Sequence, residues 1–146
     1  MATTDQKYRL ITLPNETLRK PSRKIGLISA EVKSVVNAMQ QTTIDWEDSR
    51  EHEVGVALAA VQLGQLMRIV IIRNNINEKE DRSFSVFINP VITKYEGNQE
   101  VDFEGCLSIQ SIYGKVPRYQ KVRVKAIGLN GREFRVTVDG FLARTF

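Results

Sequence analysis

A helical pattern of apolar positions begins after Ser29. Apolar and small side chains recur there at spacings of three and four, at Val32, Val35, Val36, Met39, Thr43 and Trp46. This spacing places them on one face of a helix. Ser29 is a suitable N-cap, and Glu31 in the first turn suits the positive end of the helix dipole. The sequence therefore predicts an amphipathic helix from Ser29, with a charged loop over residues 45–53.

Apolar, β-branched stretches further along the chain predict buried strands. Residues 67–72 form one such stretch, and residues 84–88 form a second after a polar surface loop over residues 74–82. Asn89-Pro90 is expected to end the second strand, since proline cannot donate a ladder hydrogen bond. Residues 1–28 contain two prolines that interrupt any long element, which predicts an extended arm over the domain.

A hairpin is the clearest local prediction. Apolar and polar residues alternate over residues 121–126 and again over 134–138, and Asn130-Gly131 supplies the turn between them. Residues 100–103 are also strand-like. Asp139 is placed to cap a short helix over residues 140–146, where the sequence ends.

Composition indicates an ordinary globular protein. The 146 residues are 42% apolar and 26% charged, which predicts a single domain over residues 1–146. The apolar run at Ile69–Ile72 is far shorter than the roughly twenty residues of a membrane span. The first seven residues lack the layout of a secretory signal, so we expect a cytoplasmic protein.

The net charge of +4 is modest, although basic residues concentrate between Lys115 and Arg135. A solvated basic strand face accounts for this run. Weak attraction to an RNA-rich surface such as the ribosome is the alternative, and no specific nucleic acid is predicted as a partner.

Two segments carry candidate chemistry. In Gly55–Gln62, small and apolar residues end in a polar amide, which either packs as a tight loop or donates to a developing oxyanion. In Glu104–Ser108, Cys106 follows a glycine at a strand end. Cys106 is the only cysteine, so it is either a small core residue or an accessible thiol that acts as a nucleophile or soft metal ligand.

Together the two segments resemble the signatures of the peptide deformylase family. Gly55-Val-Ala-Leu-Ala-Ala-Val-Gln62 is similar to the first signature, and Glu104-Gly-Cys-Leu-Ser108 is identical to the second. The resemblance extends to Leu18–Pro21, Val116–Arg118 and Gly140–Arg144. Ala57 stands where the family usually has glycine and Val61 where it often has proline, and both changes are sterically mild.

The resemblance implies an α+β fold of short antiparallel sheets around a central helix bearing an HExxH signature. In such a signature two histidines bind the metal and the glutamate acts as general base. No HExxH occurs here, and the only histidine, His52, is expected to be a solvated loop residue. We therefore expect the domain to be C-terminally incomplete, with the central helix largely missing.

The resemblance also implies roles for individual residues. Cys106 would bind a divalent metal, Fe²⁺ or a substitute such as Ni²⁺, Co²⁺ or Zn²⁺, although an incomplete ligand set would leave the metal unbound. Gln62 and the Leu107 backbone N–H would stabilise the oxyanion. The remaining expected site residues are Gly55, Val56, Ala57, Glu104 and Gly105 for binding the peptide, and Arg118, which would pair with Glu104.

Three functions follow as hypotheses. The first is a deformylase that removes the formyl group from N-formylmethionyl peptides. The second is a catalytically inactive homologue that acts as a peptide-binding or ribosome-associated module. The third is a basic protein that docks on ribosomal RNA, for which the binding affinity would fall steeply with salt.

Overall fold

The computed structural model describes residues 8–146. Over this range it contains a short 3₁₀ helix at Glu16–Arg19, a second one at Ala60–Leu63, and two α-helices, α1 (Ala30–Asp48) and α2 (Gly140–Thr145). Its strands are β1 (Ala57–Ala59), β2 (Ile69–Arg73), β3 (Phe84–Cys106), β4 (Ile109–Ile127) and β5 (Glu133–Asp139). The first seven residues, whose sequence lacks the layout of a secretory signal, lie outside the described range.

Helix α1 begins as predicted, because the Ser29 hydroxyl accepts a hydrogen bond from the Val32 N–H at 3.3 Å. Its apolar face is buried against β1 and β2. The helix continues to Asp48, so the prediction of a loop from residue 45 was wrong by one turn. The reason is that Glu47 is fully buried and ion-paired, which keeps the last turn attached to the sheet.

Within the described residues, the strands form one antiparallel sheet in the order β1-β2-β3-β4-β5. Each strand pairs with the next along the chain, with Ala57 opposite Ile72 and Ile69 opposite Ile88. The predicted hairpin is confirmed, since Val124 lies opposite Val136 on β4 and β5. No helix over residues 8–146 is both long enough and apolar enough to cross a bilayer.

The prediction that Asn89-Pro90 ends a strand was wrong. Strand β3 passes through these residues, and the pairing with β4 shifts register between Ile88 and Val91. Asn89 has φ of 50°, a left-handed conformation that asparagine tolerates better than most residues. Its buried amide hydrogen-bonds both the N–H and the carbonyl of Ile25, at 2.7 and 2.8 Å. The Asn89 side chain therefore attaches the N-terminal arm to the sheet at this irregular position.

Two apolar clusters make up the core. The first lies between α1, β1 and β2 and includes fully buried Met39 and Ile71. The second lies between the later strands and α2, where Phe87 packs edge-on to Phe146 with ring centroids 4.9 Å apart. Helix α2 is thus held by side-chain packing, and Asp139 at its N-cap makes no side-chain capping hydrogen bond.

A buried ion pair joins α1 to the sheet. Arg73 Nη1 donates to both carboxylate oxygens of Glu47, at 2.8 and 3.0 Å, and both side chains are fully buried. Arg73 Nη2 also donates to the Lys79 carbonyl at 2.6 Å. Because desolvated charges are costly when unpaired, each partner depends on the other.

Replacement of Arg73 with Met should lower the free energy of unfolding by about 3–5 kcal/mol, since it leaves the Glu47 charge buried without its partner. Urea denaturation measures this loss. The double variant Glu47→Leu/Arg73→Met should lose less. Arg82→Met removes a half-exposed arginine from the same area, and it should lower the free energy of unfolding much less than Arg73→Met, because solvent screens its ion pairs. An Arg73→Met loss as small as that of Arg82→Met would contradict the prediction.

Candidate active site

The 3₁₀ helix at Ala60–Leu63 orients the Gln62 side chain. Gln62 Oε1 accepts a hydrogen bond from the Ala59 N–H at 2.9 Å, which holds the carbonyl end of the amide against its own turn. Gly64, with φ of 72°, ends the turn in a left-handed conformation. The amide nitrogen is consequently directed away from the turn, as a donor facing the second signature segment.

Cys106 lies at the tip of the β3–β4 hairpin, where the chain turns through Leu107 and Ser108. Its thiol is exposed, and Sγ lies 3.5 Å from Gln62 Nε2. The same Nε2 donates to the buried Ser108 hydroxyl at 3.1 Å. The fold therefore brings together the two segments that the sequence singled out, and the thiol is accessible rather than enclosed in the core.

The N-terminal arm joins these two segments through the backbone. The Ile11 N–H donates to the Gln62 carbonyl at 2.7 Å, and the Leu13 N–H donates to the Ser108 carbonyl at 3.0 Å. The arm thus connects the two halves of the site by backbone hydrogen bonds.

Glu104 forms the ion pair that was predicted with Arg118. Arg118 Nε and Nη2 donate to the two carboxylate oxygens at 3.0 and 2.9 Å, a bidentate arrangement. Arg144 Nη2 lies 3.2 Å from the same carboxylate. The hydrogen bond from Arg118 is the main cause that holds the pKa of Glu104 below its ordinary value, with a smaller contribution from Arg144. Glu104 is therefore a carboxylate between two guanidinium groups.

The expected peptide-binding residues occupy different surroundings. Val56 and Ala57 line an open cleft of about 830 Å³, together with Gly105 and Glu104. Gly55 is buried instead against α1, where a Cβ would lie 2.5 Å from Thr43 Cγ2 and 3.0 Å from the Thr43 carbonyl oxygen. Its lack of a side chain serves close packing at this position.

The cleft lies between β1, the tip of the β3–β4 hairpin and α2. Tyr113 reaches across it, with its hydroxyl 3.4 Å from Glu53 Oε2. The Tyr113 ring also covers Gly105, where an added Cβ would lie 2.6 Å from Cε1. The sequence does not point to Tyr113, because its contact across the cleft, Glu53, lies 60 positions earlier in the chain.

The described residues supply one soft metal ligand and not a full set. A hydrolytic metal site needs about three protein ligands and an open position. Over residues 8–146, no group of three His, Cys, Asp or Glu side chains is arranged to hold a metal ion. His52 is 92% exposed and faces Glu51, as expected for a loop histidine. Cys106 therefore fits a thiolate-binding metal but does not complete a site with the other residues described.

A family model described as polypeptide deformylase matches residues 7–146. The chain belongs to the peptide deformylase family. It is 39% identical over 132 residues to peptide deformylase 2 of Clostridium acetobutylicum, covering 90% of this chain and 79% of that protein. It is 35% identical over 137 residues to the peptide deformylase of Aquifex aeolicus, covering 94% of this chain and 76% of that protein.

Solved deformylase structures share the fold. A peptide deformylase from Synechococcus elongatus in complex with actinonin superposes with a TM-score of 0.83 at 31% identity, over 99% of this chain and 71% of that one. The predicted α+β fold and the predicted function as a peptide deformylase are thereby confirmed. Deformylases are metal-dependent hydrolases that act on formyl-methionyl peptides.

Sequence reasoning missed two polar residues of the candidate site. Ser108 belongs to the second signature, yet its bond to Gln62 was not foreseen. Arg144 was noted only as part of a family-like stretch, although it contacts Glu104. An arginine among the apolar residues of a short helix was the available signal for Arg144.

Replacement of Gly55 with Ala should destabilise the protein by about 1–3 kcal/mol, because the added methyl overlaps Thr43. Thermal and urea unfolding measure the change. Gly26→Ala is the matched control, since nothing lies within 4 Å of its added Cβ, and it should stay within about 0.5 kcal/mol of wild type. Thr43→Ser removes Cγ2 and should reduce the cost of Gly55→Ala. Equal costs in both backgrounds would show that Thr43 Cγ2 is not the obstacle.

Proposed function

We propose that the chain hydrolyses the formyl amide of N-formylmethionyl peptides, with the reacting carbonyl placed between Gln62 and the tip of the β3–β4 hairpin. The supporting observation is the anchored amide of Gln62. Its oxygen is held by the Ala59 N–H, and its nitrogen lies 3.5 Å from Cys106 Sγ. A donor fixed before the reaction begins needs no reorganisation as negative charge develops.

Gln62 Nε2 and the Leu107 backbone N–H are proposed to stabilise the oxyanion of the tetrahedral intermediate. Both groups adjoin Cys106, one across the cleft and one as the next residue in the chain. The Ser108 hydroxyl accepts a hydrogen bond from Nε2 at 3.1 Å, and Cys106 Sγ lies at a longer 3.5 Å, so the substrate oxygen would take the hydrogen that now faces the sulfur. Gln62 therefore acts as a neutral donor with a preset direction.

Cys106 is proposed as a thiolate ligand of the metal, with Fe²⁺ expected and Ni²⁺, Co²⁺ or Zn²⁺ as substitutes. When bound, such a metal makes hydroxide available near neutral pH. The exposed thiol at the hairpin tip supports this role. Because the described residues provide no complete set, the remaining ligands must be contributed by groups other than those in the present site.

The peptide substrate is proposed to bind in an extended form along β1. This strand is at one end of the sheet order, and Val56 and Ala57 line the cleft at its outer side. Backbone groups of Val56, Ala57 and Gly105 would then pair with the substrate as an added strand. Gly55 would contribute by fixing the path of the chain, given its close packing on Thr43.

Cytoplasmic location and weak association with the ribosome are further parts of the proposal. Formylated nascent peptides emerge there, and the net charge of +4 is compatible with transient contact with RNA.

Replacement of Gln62 with Leu should lower kcat on a formyl-methionyl peptide by about 10²–10³-fold, since one oxyanion donor is lost. The metal content of the protein should stay unchanged. Gln99→Leu, at an exposed position on β3, is the control and should retain activity.

Cys106→Ala should abolish activity and the thiolate-to-metal charge-transfer absorption of the Co²⁺-loaded protein. A wild-type protein that shows neither activity nor this absorption would support the inactive homologue instead.

Arg118 is proposed to support the metal-binding turn through Glu104. Arg118→Ala should weaken metal retention or lower kcat/KM by about 10–100-fold, as expected for a residue that orients a ligand-bearing segment. Arg135→Ala, on the exposed face of β5, is the matched control. Unchanged metal content and turnover in Arg118→Ala would rule out this role.

A further inference from the structure

Arg144 projects from the last turn of α2 into the β3–β4 hairpin instead of into solvent. Its side chain is only 12% exposed. Nη1 donates to the Glu100 carbonyl at 3.0 Å, and Nη2 donates to the Asp102 and Val116 carbonyls at 3.3 and 2.7 Å. The guanidinium therefore contacts both strands of the hairpin as well as the Glu104 carboxylate.

The regular strand pairing stops between these contacts and Cys106. Glu104 pairs with Gly114, and the next pair is Cys106 with Ile109. One residue on β3 is thus opposed by four on β4, residues 110–113, and Ser111 within that bulge has φ of 59°. Ladder hydrogen bonds do not set the position of the tip relative to the strands in such an irregular region. Side-chain contacts at Glu104 therefore add to the bonds that the N-terminal arm and Gln62 make with Ser108 in holding the tip.

Glu104 is the last residue of β3 paired regularly before the tip, and it is held from two directions. Arg118 holds it from β4, which belongs to the same hairpin, while Arg144 holds it from α2. An arginine within the hairpin cannot fix the hairpin relative to the rest of the molecule. Arg144 can, because α2 is packed into the second apolar cluster through Ala143.

We propose that Arg144 is a positioning residue of the active site, which fixes the hairpin tip so that Cys106 and the Leu107 N–H stay facing Gln62. This role rests on the functions proposed above for Cys106 and Leu107. Arg144 acts through Glu104 and the strand carbonyls.

The geometry requires arginine. A guanidinium presents five N–H donors in a rigid fork, and here its two terminal nitrogens contact four acceptors on two strands. A lysine ammonium is a compact charge that could pair with Glu104 but could not also span the carbonyls of Glu100 and Val116. The lysine variant therefore separates charge from geometry.

The first measurement is amide hydrogen exchange in the metal-free full chain, compared between wild type, Arg144→Met and Arg144→Lys. Exchange at Cys106 and Leu107 should become about tenfold faster in both variants, because the tip opens locally without unfolding the domain. Val32→Ala, which removes buried apolar atoms from the first turn of α1, is the stability control. At similar global stability it should leave exchange at the tip unchanged.

The second measurement is steady-state kinetics of the metal-loaded protein. Arg144→Met should lower kcat about tenfold with KM within about twofold, because a displaced donor weakens transition-state stabilisation more than substrate binding. The proposal would be overturned if Arg144→Met showed the same exchange at the tip as Val32→Ala, or if Arg144→Lys exchanged as slowly as wild type. It would also be overturned if exchange at the tip became faster while kcat stayed unchanged. If the wild-type protein shows no deformylase activity, the proposed function fails, and hydrogen exchange alone decides whether Arg144 fixes the tip.

Discussion

The candidate active site is built on a two-stranded ribbon that is held in place by contacts outside its own ladder. Among the described residues, β2 pairs with β3 only over Phe84–Ile88, and β5 pairs with β4 only from Lys121 onward. The part of β3 after Ile88 pairs only with β4, and the part of β4 before Lys121 pairs only with β3. These two parts form a ribbon that ends at Cys106. Isolated two-stranded ribbons are marginally stable in water. The arm, Gln62 and Arg144 all contact this ribbon near its tip from outside it, which explains why so many polar contacts converge there.

Local structure was largely predictable from the sequence. Helix α1 and the β4–β5 hairpin follow from side-chain period and from single capping or turn residues, such as Ser29 and Asn130-Gly131. These signals act over a few residues and need no tertiary information. The continuation of β3 through Pro90 was not predictable in this way, because it depends on the contact between Asn89 and Ile25, 64 positions apart.

The site shows the same division. Gln62 and Cys106 were identified because their signatures are contiguous in sequence, and the structure places them 3.5 Å apart at the side-chain atoms. Arg144 was missed because a charged residue in a helix is ordinarily solvated, and outside the site Arg73 was missed for the same reason in a strand. Each becomes meaningful only when the fold supplies a buried or half-buried carboxylate, Glu47 in one case and Glu104 in the other.

The N-terminal arm joins the two halves of the site by main-chain atoms alone. The bonds from Ile11 to the Gln62 carbonyl and from Leu13 to the Ser108 carbonyl place no demand on which side chains those positions carry. They do demand an N–H at both. Side chains along this stretch can therefore vary as long as the path of the backbone is kept. Proline at either position would instead remove one of the two backbone hydrogen bonds that connect the Gln62 turn to the Cys106 turn, without altering any residue of the cleft.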